Sequence, residues 1–190
     1  MLGLIAFIAG AIMAGVSFQH LGRRLVICDN GLVDCWLGRA TSWTWDEVDG
    51  FRMALTRVIV NGVYSHTRAR FTVTFATGGT RVYTEAFGRP EELGILLGGE
   101  IARAKFTSSV EAIQAGRWVA FGPLELGRAG ARERRDVLPW NEIEDFSTNK
   151  GVLRIFPRGT MNAWASFDVN EIPNYELLVR LAEHCRRVFA

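Results

Sequence analysis

The chain contains nearly the same nine-residue phrase twice, and this repetition constrains its fold more than any other feature. Residues 43–51 read WTWDEVDGF and residues 138–146 read LPWNEIEDF. Aligning the phrases superposes an identical Trp, Glu and Phe: Trp45 on Trp140, Glu47 on Glu142, and Phe51 on Phe146. A repeat of this kind indicates two copies of one supersecondary unit within the 190 residues.

The segments that flank the two phrases follow the same pattern. Short apolar segments alternate with Gly-containing turns before each phrase, and a hairpin pattern follows, turning at Gly78–Gly79 in one copy and at Gly159 in the other. Each copy then ends in a helical pattern with a proline near its start, Pro90 and Pro173. We therefore predict an α+β fold, mainly antiparallel β, with two units of short strands that are each closed by a C-terminal helix.

The predicted unit boundaries follow from these patterns. The first unit spans residues 23–106, the second spans residues 117–190, and a short helix at residues 107–116 links them. Ser108 and Glu111 form a possible capping box at the start of this link.

The first unit is the longer one, since it has additional residues between its phrase and its closing helix. These residues are predicted to form a projecting β-arm at 57–70, because Asn61–Gly62 is a typical tight-hairpin turn.

The N-terminal segment is apolar. Residues 2–18 carry no charge and Arg23–Arg24 follow, so we predict a hydrophobic helix over residues 1–22 that anchors the chain in a membrane. Its length of about 25 Å is near the lower limit for a hydrocarbon core of about 30 Å. The arginines would then place the β units in the cytoplasm. A cleaved signal peptide, which would export the units, and a helix buried in a soluble core remain alternatives.

The cysteines are expected to be reduced. A turn at Asn30–Gly31 would pair Cys28 with Val33, which leaves Cys28 and Cys35 diagonal to one another and poorly placed for a disulfide. Small buried thiols are typical of a reducing compartment.

Several segments, in their order, resemble an uncharacterised bacterial membrane-associated family, a domain of unknown function. They cover about residues 25 to 185 and read DNGLV, WDEVDGF, VNGVYSHTRARFTV, FGPLEL, LPWNEIEDF, GVLRIF and WASFDVNEIPN. Short strands closed by one helix, with a Trp-x-Glu-Ile/Val step between them, are also similar to bacterial pleckstrin-homology-like (PH-like) domains. The resemblance implies two PH-like units beside a membrane helix, and it implies no activity, cofactor or site residues.

The residues of the repeated phrase are predicted to be structural. A Trp buries a large apolar surface, and the Glu two positions later could accept a hydrogen bond from the indole or from a backbone N–H. Asp46 of the first phrase is replaced by Asn141 in the second. A general acid or base could not be replaced by Asn, whereas a residue that only packs at a bend of the chain could.

No sequence motif indicates catalysis or a cofactor. The three histidines lack metal-ligand spacing, and no P-loop, G-x-S-x-G or H-E-x-x-H motif is present. A net charge of +2, without an aromatic and basic platform, argues against nucleic acid. We therefore predict a non-enzymatic protein without a metal or cofactor.

Two arginine clusters are candidate contacts for an anionic lipid or a protein partner. Their members are Arg128, Arg132, Arg134 and Arg135 in one predicted hairpin, and Arg68 and Arg70 in the β-arm. The alternative for the first cluster is a solvated hairpin, since Glu133 and Asp136 dilute its charge. An arginine close to an anionic membrane contributes about 1 kcal/mol of binding free energy.

The leading functional prediction is a membrane-tethered, cytoplasmic PH-like binding or scaffold protein. Its expected ligand is a lipid headgroup or a protein. An adaptor that binds a protein through the β-arm is the first alternative, and an enzyme with a pocket between the units is the second.

Overall fold

The computed structural model describes residues 16–20, 23–60, 63–84 and 90–190, with side chains described for 23–56, 68–84 and 91–190. Most of the predicted N-terminal helix at residues 1–22 lies outside these ranges. Its C-terminal end is wrong, because Val16–His20 is a β-strand that pairs antiparallel with residues 23–27. Val and Phe favour extended backbone where a strand edge is available. None of the described helices is both long enough and apolar enough to cross a membrane.

The first unit consists of two antiparallel sheets joined by one turn of 3₁₀ helix at Trp45–Glu47. The four-stranded sheet has the order β1 (Val16–His20), β2 (Arg23–Cys28), β3 (Gly31–Trp36), β4 (Arg39–Thr44). The three-stranded sheet has the order β5 (Val48–Val60), β6 (Val63–Phe75), β7 (Thr80–Thr84). Helix α1 (Pro90–Gln114) follows.

The second unit has the same order of elements, with a 3₁₀ turn at Trp140–Glu142 between its sheets. Its four-stranded sheet consists of β8 (Val119–Phe121), β9 (Leu124–Gly127), β10 (Gly130–Glu133) and β11 (Asp136–Pro139). Its three-stranded sheet consists of β12 (Ile143–Asn149), β13 (Val152–Pro157) and β14 (Ala165–Asp168). A 3₁₀ turn (Val169–Glu171) and helix α2 (Tyr175–Phe189) complete the chain. The prediction of a mainly antiparallel β fold with helices is confirmed.

Each unit has its own core between the inner faces of its two sheets, and α1 contributes to both. Leu93, Leu97 and Ile101 of α1 are buried in the first core. Ala102 and Ile113 of the same helix are buried in the second core. Burial of each Leu or Ile side chain contributes about 1.5–3 kcal/mol, so α1 stabilises both units at once.

The separate linking helix predicted at 107–116 is instead the C-terminal part of α1. Residues 100–114 contain no Gly or Pro, so nothing in this stretch interrupts the helix that begins at Pro90. Ser108 is not a cap: its hydroxyl donates a hydrogen bond to the carbonyl of Lys105, 3.1 Å away within the helix.

The turn between β2 and β3 lies one residue earlier than predicted, which shifts the pairing of the two strands by two residues. Its residues are Asp29–Asn30, so Cys28 pairs with Gly31 rather than with Val33. Gly31 begins β3 at a position with no room for a side chain, because a Cβ there would clash with the backbone carbonyl of Trp43 and lie 2.9 Å from the Cα of Thr44. The three cysteines are free thiols, of which Cys185 is buried and Cys28 and Cys35 are half-buried.

Strands β5 and β6 are much longer than their counterparts in the second unit. They have 13 residues each, against 7 in β12 and 6 in β13. The segment predicted as a β-arm, residues 57–70, lies on these two strands, and their backbone pairing continues to Val60 with Val63. The predicted turn residues 61–62 lie outside the described residues.

Candidate functional site

The tryptophans of the two phrases occupy the same kind of corner. Each is buried at the start of a 3₁₀ turn. The indole Nε1 of Trp45 donates to the carbonyl of Asp29 at 3.0 Å, and that of Trp140 donates to the carbonyl of Gly127 at 2.9 Å. Both carbonyls lie in or beside the turn that precedes the third strand of the sheet. The tryptophan of each phrase therefore stabilises the connection between the two sheets of its unit.

The two glutamates share a backbone role but not a side-chain role. The carbonyl of Glu47 accepts from the N–H of Ala76 at 2.8 Å, and that of Glu142 accepts from the N–H of Arg158 at 2.7 Å. The Glu47 carboxylate also accepts from the backbone N–H and hydroxyl of Thr44. Pro139 stands at the position of Thr44 in the second turn and offers neither donor. Glu142 is accordingly exposed.

The two phenylalanines pack within their own units. Phe51 is buried and stacks with Phe71 at a centroid distance of 6.2 Å. Phe146 is half-buried and packs against Trp140 at 6.3 Å. All six repeated residues therefore contribute to packing or hydrogen bonding at the sheet corners.

The arginines of the second unit do not form one site. Arg134 and Arg135 make the exposed turn between β10 and β11, whereas Arg128 is in the turn at the other end of β10, a strand that itself spans about 10 Å. Arg132 forms an ion pair with Glu125, and its guanidinium lies 4.1 Å from the ring centroid of Trp118. Arg132 is thus engaged within its own sheet.

Arg68 and Arg70 lie together on the exposed face of β6. Ala69 between them points to the core and is fully buried. Adjacent outward positions on one strand place the two guanidinium groups on the same surface.

A cleft that the sequence did not reveal opens at one end of the first unit, between the inner face of its four-stranded sheet and β7, the edge strand of its three-stranded sheet. Its volume is about 510 Å³. It is lined by Arg23, Asp34, Trp36, Arg39, Thr41, Thr80, Arg81 and Val82.

The cleft forms because the inner face of the four-stranded sheet changes from apolar to polar along its length. The row nearest the Trp45 corner consists of Ile27, Leu32 and Trp43, the next of Leu25, Asp34 and Thr41, and the last of Arg23, Trp36 and Arg39. Inward positions of a sandwich are normally apolar. Arginines and a carboxylate at such positions require a specific reason.

Asp34 is the one buried carboxylate among the described residues, with 6% of its surface exposed. Arg23 donates to both of its oxygens, with Nε to Oδ1 at 2.9 Å, and the hydroxyl of Tyr83 donates to Oδ2 at 3.3 Å. The hydrogen bond with Asp34 raises the pKa of Arg23. Burial, and then the charge of Asp34, raise the pKa of Tyr83. The negative charge of Asp34 is therefore matched by Arg23.

Two more arginines face the cleft and leave it with a positive charge. The guanidinium of Arg81 lies 5.6 Å from the ring centroid of Trp43, and Arg39 is exposed at the start of β4. Three arginines against one carboxylate make the cleft electrostatically suited to an anion.

The tip of the β3–β4 hairpin beside the cleft is apolar and exposed. Trp36 is 58% exposed and Leu37 is 78% exposed. Leu37 and Gly38 both have positive φ, 49° and 74°, as a tight two-residue hairpin turn requires. A bulky apolar residue held at positive φ in solvent is uncommon.

The second unit does not repeat the hairpin tip or the β7 side chains that line this cleft. Strands β10 and β11 have four residues each, against six each in β3 and β4, so no extended apolar tip forms. The positions that correspond by register to Arg81 and Tyr83 are Ala165 and Phe167, both buried. Since the second unit folds without these polar groups, the fold itself does not require them.

The described residues contain no group of three His, Cys, Asp or Glu side chains that could hold a metal ion. What the cleft offers is guanidinium groups, hydroxyls and an exposed indole. These groups can bind an anion by charge-assisted hydrogen bonds and stacking.

Sequence reasoning missed the cleft because its arginines are separated in sequence. Arg23, Arg39 and Arg81 lie on β2, β4 and β7, and only the correct strand register brings them together. The feature of the sequence that could have indicated the cleft is the presence of polar residues at inward positions of β2, β3 and β4.

No curated protein and no solved structure matches this chain. One family matches almost all of it, over residues 1–188, and its description is a family of unknown function. The chain therefore belongs to the family of unknown function DUF6585.

Proposed function

We propose that the protein is a non-catalytic binding protein with two PH-like units, and that the cleft of the first unit takes the anionic headgroup of a membrane lipid. The order of elements supports the PH-like assignment, since a four-stranded sheet, a three-stranded sheet and a helix follow one another twice. The observation that supports an anionic ligand is the positively charged cleft lined by Arg23, Arg39 and Arg81.

The chemistry of the cleft suits a phosphate group. Arginine presents a planar set of donors that matches phosphate oxygens. Arg23 is fixed by Asp34, whereas Arg39 and Arg81 are exposed and can turn toward a ligand. The proposal therefore assigns the direct phosphate contacts to Arg39 and Arg81, with Arg23 shaping the inner wall.

The apolar hairpin tip favours a lipid over a free phosphate compound. Trp is enriched at membrane interfaces, where its ring lies at the level of the headgroups. Trp36 and Leu37 at the rim of the cleft would enter this layer while the arginines contact the phosphates. We place this activity at the cytoplasmic face of a bacterial membrane, which is consistent with the free cysteines.

The proposal is tested by sedimentation of the full chain with phosphatidylglycerol vesicles and with phosphatidylcholine vesicles. We expect binding to the anionic vesicles, and a loss of about tenfold in the Arg39→Gln/Arg81→Gln variant. The matched control is Arg134→Gln/Arg135→Gln, which removes two exposed arginines from the second unit and should leave binding within about twofold.

A third variant separates a lipid from a soluble anion. Trp36→Ala/Leu37→Ala should weaken vesicle binding without changing the affinity for inorganic pyrophosphate. Vesicle binding that depends on Arg134 and Arg135 instead of the cleft would contradict the proposal. The alternative of an adaptor that acts through the turn of the β-arm stays a prediction.

A further inference from the structure

A second basic surface lies on the opposite side of the first unit's three-stranded sheet, facing away from the core. The register of β5, β6 and β7 places the even-numbered residues of all three strands on this outer face. Their odd-numbered neighbours, such as Phe71 and Val73, are buried in the core. The outer face between residues 52–56, 68–74 and 80–84 is here named the arginine–threonine face.

Three arginines are adjacent on this face. Arg68 and Arg70 are successive outward residues of β6. Arg52 of β5 pairs with Thr72, which places it diagonally next to Arg70. No described carboxylate forms an ion pair with any of the three, and none occupies an even-numbered position of the face. The face therefore presents uncompensated positive charge.

Threonines fill most of the remaining outward positions. Thr72 and Thr74 on β6 and Thr80 and Thr84 on β7 are all at least partly exposed. Their short side chains leave the surface flat, and each hydroxyl can both donate and accept a hydrogen bond. Such a surface can accommodate an extended or helical polypeptide lying across the strands.

The same face of the second unit has the opposite charge. Its outward residues include Asp145 and Asp168 and a single arginine, Arg154. Because the two sheets share one topology, the positive charge of the first is not a requirement of the fold. It is a property of this one surface.

We propose that the arginine–threonine face binds an acidic segment of a partner protein. Arginines pair with carboxylates through two parallel hydrogen bonds, so three adjacent guanidinium groups fit a segment with several Asp or Glu side chains. A lipid surface is less suited, because Val82 is the only apolar side chain larger than alanine at the described outward positions, and no aromatic side chain is present there to enter the membrane. A nucleic acid is less suited because the face has no aromatic side chain on which a base could stack.

The proposal is tested with the full chain and a short fluorescently labelled poly-L-glutamate peptide, using fluorescence anisotropy at low and moderate salt. We expect salt-sensitive binding to the wild-type protein. The variant Arg68→Gln/Arg70→Gln should weaken it by about tenfold, and further addition of Arg52→Gln should reduce it to background.

Two control variants carry the same type of substitution elsewhere. Arg154→Gln alters the corresponding face of the second unit, and Arg134→Gln/Arg135→Gln removes two exposed arginines from the turn between β10 and β11. Both should bind the peptide within about twofold of wild type. Circular dichroism of every variant establishes that the fold is retained.

Three results would overturn the proposal. The first is wild-type protein that does not bind poly-L-glutamate, and the second is an equal loss in a control variant. The third is stronger binding of oligothymidylate or of phosphatidylglycerol vesicles, with the same dependence on Arg68 and Arg70, which would assign the face to nucleic acid or to lipid. Because vesicle binding by the cleft is tested with its own variants, failure here is distinguishable from failure of lipid binding by the cleft.

Discussion

Asn174 and Phe51, which are 123 residues apart in the chain, are joined by a reciprocal pair of hydrogen bonds. The backbone N–H of Asn174 donates to the carbonyl of Phe51 at 2.8 Å, and the N–H of Phe51 donates to Oδ1 of Asn174 at 2.9 Å. The Asn174 amide also donates to the carbonyl of Asp49 at 3.1 Å. One side chain in the second unit thus satisfies the backbone at the irregular start of β5 in the first.

Substitutions at Asn174 should reveal this link between the units. Asn174 has φ 54°, a left-handed conformation that Asn tolerates and Gly adopts freely. Asn174→Gly should lower the free energy of unfolding by about 1–3 kcal/mol, because the N–H of Phe51 loses its acceptor. Asn174→Ala should lower the free energy of unfolding by about 1 kcal/mol more than Asn174→Gly, because Ala is strained in the left-handed conformation. Urea denaturation gives both values, and a Gly variant as stable as the wild type would contradict the assigned role.

The two corner tryptophans should both be sensitive to loss of the indole N–H, Trp140 more than Trp45, because the carbonyl of Asp29 also accepts from Arg103 at 2.8 Å. Trp45→Phe leaves the carbonyl of Asp29 without its indole donor, and Trp140→Phe does the same to Gly127. Each should lower the free energy of unfolding by about 1–3 kcal/mol. Guanidinium denaturation of both variants is the measurement. A variant with wild-type stability would show that the hydrogen bond at that corner is dispensable.

Two glycines of α1 should respond in opposite directions to the same substitution. A Cβ at Gly94 would lie 2.7 Å from a ring atom of Phe71, which is fully buried, and would clash with the sulfur of Met53. Gly94→Ala should therefore destabilise the protein by about 1–3 kcal/mol.

Gly99 is the matched control, because a Cβ there meets no atom within 4 Å. Gly99→Ala should stabilise the protein by about 0.5–1 kcal/mol, since Ala is the better helix former. Thermal unfolding of both variants tests the pair. Destabilisation by Gly99→Ala would mean that helix propensity does not limit stability at this position.

Stability should fall at alkaline pH partly because of the Cys185 thiol in the second core. Burial raises the pKa of Cys185 to about 11 from a usual value of 9.0. The unfolded chain therefore loses this proton at lower pH than the folded chain does. The protonated thiol therefore contributes about 2–3 kcal/mol to the free energy of unfolding. This contribution is complete below pH 9 and is lost as the pH rises toward 11.

The variant Cys185→Ala isolates this contribution. It removes one titrating group, so its free energy of unfolding should decline less steeply than that of wild type between pH 9 and 11. The pKa of Tyr83 is also raised. The free energy of unfolding should therefore still decline with rising pH in both proteins. Parallel curves for the two proteins would rule out the thiol as a cause of the alkaline loss.

Much of the general fold could be predicted from the sequence, because it depends on local patterns. The alternation of short apolar segments with Gly turns predicted antiparallel strands, and the apolar spacing of Leu178, Leu181 and Cys185 predicted the last helix, where all three are buried. The structural prediction for the repeated tryptophans agrees with their burial and hydrogen bonds. The indole partner proved to be a backbone carbonyl, and not a glutamate.

What could not be predicted depends on contacts between distant residues. The register of the β2–β3 hairpin places Gly31 in β3, where it lies close to the backbone of Trp43 on the next strand. A local turn preference does not indicate this contact. The engagement of Arg132 depends on its cross-strand neighbour Glu125 and on Trp118. The cleft requires three strands in register, so grouping arginines by sequence proximity could not identify Arg23, Arg39 and Arg81 as neighbours.

The sharing of α1 between the two cores has a consequence for how the protein unfolds. A fragment that ends at Gln114 would expose Ala102 and Ile113 to water, and a fragment that begins after α1 would lack both of them. Neither unit is expected to fold properly in isolation. Heating should therefore melt both cores in one cooperative transition, in spite of their separate sheets.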